Sequence, residues 1–234
     1  MRPPGSSVHR KAQGILDLDA GLPTEPGGLA AGISPLGLGR ARDGLVQCSA
    51  RLDPAIPAAL VVMLHGAGGM SAQALPLLAG WESMPQLVVL APDSRGLTWD
   101  VIRGGYGPDV VFLQEALAFV LKRQAVDPAH VAIGGFSDGA SYALSLGLTN
   151  GRFFSHVVAF SPGFMAPSRR IGAPAIFISH GRSDAVLPIG NCSRRLVPAL
   201  REASYAVEYR EFDGAHAVPP AIARAALAWF QADP

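Results

Sequence analysis

Cysteine is scarce in this chain, and its scarcity excludes several kinds of site. The sequence of 234 residues contains two cysteines, Cys48 and Cys192, which lie far apart. Neither belongs to the closely paired spacings that hold zinc or form a redox motif. We therefore expect no metal site and interpret both cysteines as free thiols, with a disulfide between them as the alternative.

Charged residues are also few, and the two signs nearly cancel. Lysine and arginine total 19 against 18 acidic residues, so the formal net charge is +1. A chain without a strong electrostatic field has little to attract nucleic acid or an acidic membrane surface. The composition therefore favours a small, neutral or apolar molecule as the partner, and no nucleic-acid partner is expected.

Long apolar runs are missing as well. Residues 1–14 carry several basic side chains but no apolar stretch that could serve as the core of a signal peptide. No later stretch is long enough to span a bilayer without a charge, glycine or proline. The sequence thus predicts no integral membrane segment and a cytoplasmic protein, a lost leader being the alternative.

Glycine and proline are plentiful by contrast, and residues 1–35 are rich in both. This stretch is interpreted as an irregular arm that is partly disordered or lies over the surface. From residue 36 to residue 234, short apolar runs alternate with helical patterns, which is typical of a single α/β domain with a mainly parallel sheet flanked by helices. Strands are predicted at residues 44–50, 59–65, 86–91, 130–136, 156–160, 175–180 and 205–212, and helices at residues 71–79, 109–124, 138–148, 191–203 and 218–231.

The most informative motif is Gly-Phe-Ser-Asp-Gly at residues 135–139. It lies between an apolar run and a helix-compatible stretch, which is the strand, turn and helix context of a nucleophile elbow. A strained serine backbone crowds the positions two residues away on either side, and glycine at 135 and 139 relieves that crowding. Ser137 is therefore the predicted nucleophile, at the positive end of the next helix. The alternative is an ordinary Gly-Ser turn.

A serine hydroxyl needs a base and a carboxylate before it becomes a nucleophile at neutral pH. Asp184 is the sole carboxylate in the polar turn that follows the predicted strand at residues 175–180. Functional groups of α/β sheets collect at such strand ends. Asp184 is predicted to orient the base, with capping of the turn or of the next helix as the alternative.

The predicted base is His216, which lies on the loop between the last strand and the last helix. The chain order Ser137, Asp184, His216 is the order of the α/β-hydrolase fold and differs from that of the chymotrypsin and subtilisin types. Asp213 is a rival carboxylate, but it precedes His216 by three residues on the same loop and is poorly placed to orient the ring. Four other histidines are interpreted as structural: His9, His130, His156 and His180.

A glycine-rich turn, His-Gly-Ala-Gly-Gly, follows an early strand at residues 65–69. Attack on an ester puts negative charge on the carbonyl oxygen, and backbone N–H groups can stabilise that charge. The predicted donors are Asp138, directly after the nucleophile, and Ala67, with Gly68 next. A phosphate cradle is the alternative, although the turn lacks the ending of a P-loop and the full dinucleotide-binding pattern.

Together these segments resemble the phospholipase/carboxylesterase branch of the α/β-hydrolase superfamily. A looser similarity extends to polyhydroxyalkanoate-depolymerase-like and dienelactone-hydrolase-like proteins. The match runs from about Leu36 to Phe230 and depends on residues 64–69, 135–139, 180–188 and 214–216. The resemblance implies a small esterase or thioesterase with little or no lid, which hydrolyses carboxylic esters without a cofactor.

Two residues depart from that resemblance. Asp138 stands where such enzymes often have a neutral side chain, and its carboxylate would oppose a developing oxyanion unless it points away. Ser137 stands where dienelactone hydrolases have cysteine, which argues against that activity.

Three apolar residues are candidates for the substrate pocket. The segment at residues 93–100 resembles the family segment that borders the acyl pocket, so Trp99 is expected to line the site. Phe164 and Leu187 are placed to form an apolar wall. Burial in the core is the alternative for each of the three.

The leading functional hypothesis is a serine carboxylic-ester hydrolase that acts through an acyl-enzyme on small to medium apolar esters. A thioesterase, or a polyester or amide hydrolase, would use the same three residues. A catalytically silent binding protein of the same fold is the alternative from a different class, and Asp138 motivates it. A homodimer is left open.

Overall fold

The structure is a computed structural model that describes residues 9–18, 23–25 and 28–232. Within these residues the apolar runs form one sheet of eight strands in the order β1, β2, β4, β3, β5, β6, β7, β8. The strands are β1 (Gly32–Pro35), β2 (Gly44–Cys48), β3 (Ala58–Leu64), β4 (Leu87–Pro92), β5 (Val126–Phe136), β6 (His156–Phe160), β7 (Ala175–Gly181) and β8 (Val207–Phe212). The α/β-hydrolase fold predicted from the sequence is thereby confirmed.

Most of the sheet is parallel. Strands β4, β3, β5, β6, β7 and β8 pair in parallel, whereas β1 and β2 join the edge antiparallel. A parallel sheet is covered by helices on both faces, so its inner strands are continuous apolar runs. Strand β3 illustrates this, since Leu60 and Val62 face one core cluster while Val61 and Met63 face the other.

Within the described part of the chain, five helices supply the two covering layers. They are α1 (Ser71–Ala74), α2 (Pro108–Leu121), α3 (Asp138–Thr149), α4 (Ser193–Glu202) and α5 (Pro220–Gln231). Residues of α2, α3 and α4 belong to one core cluster, and residues of α1 and α5 belong to the other. Helix α3 is buried from Gly139 to its last residue, which fixes its amino end, and hence the preceding turn, against the sheet.

The predicted helix at residues 71–79 is shorter than expected. Helix α1 ends at Ala74 and continues as a 3₁₀ turn at Leu75–Leu78. Pro76 lies at the start of that turn, and it has no N–H with which to continue the α-helical bonding pattern.

The amino-terminal stretch contains more order than the sequence indicates. Strand β1 pairs with β2, and Ile15 and Leu16 are buried. The side chain of Asn150, at the end of α3, accepts a hydrogen bond from the Leu16 N–H at 2.9 Å and donates to the Gly14 carbonyl at 2.8 Å. The remainder of the predicted irregular arm, residues 1–8, 19–22 and 26–27, lies outside the described residues.

The carboxyl ends of β3, β5 and β7 meet at one edge of the sheet, because these strands are parallel. The loops after them carry residues 65–69, Ser137 and Asp184, and the loop after β8 carries His216. Among the helices of the described residues, none combines the length and apolar character that a bilayer crossing needs.

Candidate active site

Ser137 forms a strained turn between β5 and α3. Its backbone has φ 57° and ψ −119°, a conformation that a residue with a side chain rarely adopts. The Ser137 N–H donates to the carbonyl of Phe160 at the end of β6, at 3.0 Å, which ties the turn to the sheet. The predicted strand, turn and helix context is therefore present, and strain of this kind is typical of functional sites.

The two glycines of the motif allow close approach of the backbone. A Cβ atom at Gly135 would overlap the backbone of Gly139, and a Cβ atom at Gly139 would overlap the carbonyl oxygen of Leu64. The crowding thus comes from the first turn of α3 and from the end of β3, and the serine itself contributes less than the sequence argument assumed.

Asp184 and His216 are hydrogen bonded to each other. Nδ1 of His216 lies 2.6 Å from Oδ2 of Asp184, whose side chain is fully buried. The other oxygen, Oδ1, accepts the N–H groups of Val186 and Leu187 at 2.9 and 2.8 Å. Burial alone would raise the pKa of Asp184, but the Leu187 N–H and His216 outweigh it, so the pKa lies below its ordinary value.

An ionised carboxylate only accepts hydrogen bonds, and this determines the tautomer of His216. Nδ1 carries the proton toward Asp184, so Nε2 of the neutral ring is free to accept a proton. Asp213, the rival acid, is 89% exposed and pairs with Arg182 at 2.7 Å. The structure therefore brings Asp184 and not Asp213 to the histidine.

The loops of the acid and the base are joined by their backbones. The N–H of Ser183 donates to the carbonyl of Gly214 at 2.9 Å, and the N–H of Arg182 donates to Phe212 at 2.9 Å. Gly181 makes this approach feasible, because a Cβ atom there would overlap the carbonyl oxygens of Gly214 and Ala215. The His216 loop is thus held against the end of β7.

The imidazole of His216 lies next to the nucleophile turn. Its ring centroid is 4.6 Å from that of Phe136, the residue directly before Ser137. Among the described residues, no hydrogen bond joins the Ser137 hydroxyl to His216. Hydrogen bonds of this kind are often unformed in ligand-free enzymes and tighten when substrate binds.

The glycine-rich turn after β3 lies beside Ser137. A Cβ atom at Gly66 would be 3.5 Å from Cβ of Ser137. The Ala67 N–H has no partner in the part of the chain that is described, and the Asp138 N–H is the first of α3, where the helix itself offers no acceptor. The expectation for Gly68 is wrong in this arrangement, because its N–H is already donated to the Leu97 carbonyl at 2.6 Å.

Trp99 does not line the site. Its side chain is fully buried, its Nε1–H donates to the carbonyl of His65 at 2.9 Å, and its ring stacks on Tyr142. The expectation of a pocket residue is therefore wrong, and the buried alternative is correct. The indole instead stabilises the glycine-rich turn, because the carbonyl that it binds belongs to His65, the first residue of that turn.

Phe164 and Leu187 lie on loops at the same edge of the sheet, and both are half-buried. The side chain of Leu187 packs near Gly163, where a Cβ atom would be 3.3 Å from it. Their contact with a substrate stays a prediction.

His180, interpreted from the sequence as structural, lies against the proposed acid. The ring is fully buried, and its Nε2 lies 3.2 Å from Oδ2 of Asp184 and 2.8 Å from the carbonyl oxygen of Leu187. Its Nδ1 lies 2.7 Å from the hydroxyl of Ser193. The available signal was its place at the end of β7, four residues before the acid.

Several solved esterase structures share this fold. Esterase PE8 matches with a TM-score of 0.67 at 22% identity, over 82% of this chain and 99% of its own. A carboxylesterase from Bacillus cereus matches with a TM-score of 0.60 at 21% identity, over 79% and 91%. A phospholipase/carboxylesterase from Dyadobacter fermentans matches with a TM-score of 0.62 at 19% identity, over 92% and 100%. At such identities the likeness shows the fold alone.

The sequence itself carries the family assignment. No curated protein sequence matches this chain. The sequence model of the Phospholipase/Carboxylesterase family, however, matches residues 113–231, a range that contains Ser137, Asp184 and His216. Since that range is half of the chain and the fold agrees with it, the protein belongs to the phospholipase/carboxylesterase family and is a hydrolase of the carboxylesterase type.

Proposed function

We propose that the protein is a serine carboxylic-ester hydrolase that works through an acyl-enzyme, with Ser137 as nucleophile, His216 as base and Asp184 as the orienting carboxylate. The observation that carries the proposal is the 2.6 Å bond between Nδ1 of His216 and the buried carboxylate of Asp184, beside a serine in a strained turn. An ordinary Gly-Ser turn requires neither the strained serine nor the hydrogen-bonded pair of Asp184 and His216.

In the acylation step, Nε2 of His216 takes the hydroxyl proton of Ser137 as Oγ attacks the ester carbonyl carbon. The tetrahedral intermediate collapses when the C–O bond to the alcohol breaks, and His216 returns the proton to the departing oxygen. Water then enters, loses its proton to His216 and attacks the acyl carbonyl. The carboxylic acid leaves, and Ser137 recovers its proton.

Negative charge develops on the carbonyl oxygen in both steps, and we assign its stabilisation to the N–H groups of Ala67 and Asp138. Ala67 lies in the glycine-rich turn beside Ser137, and Asp138 directly follows Ser137 with the positive end of α3 behind it. Asp184 keeps its charge while His216 is protonated and stabilises the imidazolium.

The substrate we propose is an apolar ester of small to medium size. Three large apolar side chains on the loops of this site are exposed: Leu97 at 78%, Val186 at 66% and Met70 at 41%. Each adjoins a residue of the site, because Leu97 accepts the Gly68 N–H, Val186 donates to Asp184, and Met70 follows the glycine-rich turn. Such a rim favours apolar acyl or alcohol groups over charged ones.

The test is turnover of p-nitrophenyl acetate, butyrate and octanoate by the native protein and by Ser137→Ala. We expect the variant to lose nearly all activity, a decrease of about 10⁴-fold or more by analogy with other serine hydrolases. Equal rates for the two proteins would contradict the proposal. A fluorophosphonate probe gives an independent measurement, because it should label native protein and leave Ser137→Ala unlabelled.

The same assay separates the related activities that share this chemistry. A thioester and an amide matched to the best ester are compared by kcat/KM. We expect the ester and the thioester to be hydrolysed and the amide to be much slower, because its leaving group is poorer. Absence of labelling by the probe together with absence of turnover of all three substrates would favour the silent binding protein.

A further inference from the structure

We propose that His180 is a positioning residue for the acid and base of this site, and that it acts by donating its Nε2–H to the carboxylate of Asp184. The inference rests on the proposed function and concerns a side chain that does not reach the reacting atoms. It identifies a second histidine beside the proposed catalytic carboxylate, at the carboxyl end of β7.

The contacts of the ring determine which nitrogen carries the proton. The carbonyl oxygen of Leu187, 2.8 Å from Nε2, can only accept a hydrogen bond, so Nε2 must be protonated. Nδ1 then accepts the hydroxyl proton of Ser193 at 2.7 Å. Burial lowers the pKa of His180, so the ring is neutral and has this single N–H to offer.

The same N–H lies within reach of the carboxylate. Oδ2 of Asp184 lies 3.2 Å from Nε2 of His180 and 2.6 Å from Nδ1 of His216, so one oxygen faces both rings. Oδ1 accepts two backbone N–H groups. The His180 contact therefore completes a set of four donors, and without it the oxygen that orients His216 would have one donor fewer.

His180 also holds the turn that presents the carboxylate. Leu187 donates its N–H to Oδ1 of Asp184 and accepts the His180 N–H with its carbonyl, so the turn from residue 184 to residue 187 is closed through the ring. A rotation of the ring would release the turn and the carboxylate together. Because a misplacement of about 1 Å can lower turnover about a hundredfold, this support bears on catalysis.

Besides burial, two neighbouring ionisable groups act on the ring in opposite directions: the charge of Asp184 raises the pKa of His180 and that of His216 lowers it. Asp184 and His216 are the charged or chargeable groups that act on it directly. The thiol of Cys192 is buried nearby, and burial, followed by the charge of Asp184, raises its pKa, so it stays neutral. Asp184 is thus the one anion that the His180 N–H faces among the described residues.

The test compares two polar replacements that differ in reach. His180→Gln can place an amide N–H near the position of Nε2, whereas His180→Asn ends near the position of Nδ1 and cannot reach Asp184. His180→Asn keeps a polar group near the Ser193 hydroxyl, which contacts Nδ1 in the native protein. Turnover of the best p-nitrophenyl ester is measured per active site, with the sites titrated by the fluorophosphonate probe so that misfolded protein does not count.

We expect His180→Asn to lower kcat per site by about ten- to a hundredfold with little change in KM, and His180→Gln to recover most of that loss. The acid limb of the pH profile should also move. With one donor removed, Oδ2 attracts the proton of His216 more strongly, so the midpoint of the limb rises by about half a pH unit in His180→Asn. A purely structural role would change the yield of folded protein and leave both readouts alone.

His156→Gln is the matched control. This histidine is also buried, and its ring also contacts a serine hydroxyl, that of Ser155 at 2.9 Å, but it lies at the opposite end of β6 from the site. It should keep native kcat per site and the native pH profile. Ser193→Ala provides a third variant if either replacement of His180 fails to fold, and it should shift the profile in the same direction by less.

Equal turnover per site in His180→Asn and His180→Gln would overturn the inference, as would an unchanged acid limb in Ser193→Ala. The failure of the proposed function is a different result: activity would then persist in Ser137→Ala, whatever the His180 variants do.

Discussion

The hydroxyl of Thr98 donates a hydrogen bond of 2.6 Å to the carboxylate of Asp138, the residue directly after the nucleophile. The carboxylate is therefore directed toward the segment that follows β4. The same segment also accepts the Gly68 N–H through Leu97 and supports His65 through Trp99. One loop thus holds both sides of the proposed oxyanion site, and an acidic residue next to Ser137 becomes compatible with catalysis.

We predict that Thr98→Val lowers kcat by about tenfold or more, because the freed carboxylate of Asp138 can turn toward the developing oxyanion. A hydrogen bond to a charged group stabilises by about 1.5–3 kcal/mol, which corresponds to a decrease of that size. Thr98→Ser keeps the hydroxyl and should stay within about twofold of the native rate. Ester turnover at saturating substrate measures the effect, and equal rates for the two variants would refute it.

Gly139→Ala should destabilise the fold by about 3 kcal/mol or more, because its Cβ atom would overlap the carbonyl oxygen of Leu64 and the backbone has no room to move. Urea denaturation followed by circular dichroism measures the loss. Gly190→Ala is the control, since nothing lies within 4 Å of a Cβ atom there. Its free energy of unfolding should change by less than about 0.5 kcal/mol, and a similar loss in both variants would exclude the steric explanation.

Replacement of Asp184 and replacement of Asp213 should have very different effects on turnover. Asp184→Asn keeps the size of the side chain but removes the charge that selects the His216 tautomer. The equivalent change in a serine protease lowers kcat by about 10⁴-fold, and we expect a decrease of similar order here. Asp213→Asn should have native activity, because that carboxylate is 89% exposed and pairs with Arg182. If Asp213→Asn lowered kcat/KM strongly and Asp184→Asn did not, the orienting role would belong to Asp213.

The buried ring of His156 predicts sensitivity to acid. Burial, followed by the charge of His130, lowers the pKa of His156 to about 4, whereas the unfolded chain titrates near 6.5. The unfolded state therefore binds more protons between these values, so the stability that the neutral ring supplies is present above pH 6.5 and is lost as the pH falls toward 4. The shift corresponds to at most about 3 kcal/mol.

Urea denaturation at several pH values between 4.5 and 7 tests this prediction. Native protein should lose stability as the pH falls, and His156→Gln should lose less of it over the same range. Burial also lowers the pKa of His65 and His180, so part of the slope remains in the variant. An identical slope in the two proteins would show that His156 does not supply it.

Much of the fold follows from the sequence alone. The seven predicted strands all form. The continuous apolar runs among them, β3, β4 and β6, are buried throughout, as strands covered on both faces of a parallel sheet must be. Strand β1 was not predicted, since its four residues include one glycine, one proline and a single large hydrophobe, and its pairing with β2 determines it. The cytoplasmic location and the homodimer stay predictions.

Some features of the site also follow from the sequence, whereas others depend on the tertiary structure. Motif spacing and chain order select Ser137, Asp184 and His216, because a nucleophile elbow and two strand-end loops leave characteristic local patterns. Local patterns do not reveal contacts between loops. The occupied N–H of Gly68, the buried ring of Trp99, the Thr98 bond to Asp138 and the His180 contact with Asp184 were decided by tertiary structure. Each depends on which atoms the packed sheet brings within about 3 Å, a distance that hydrogen bonding requires and that sequence separation does not encode.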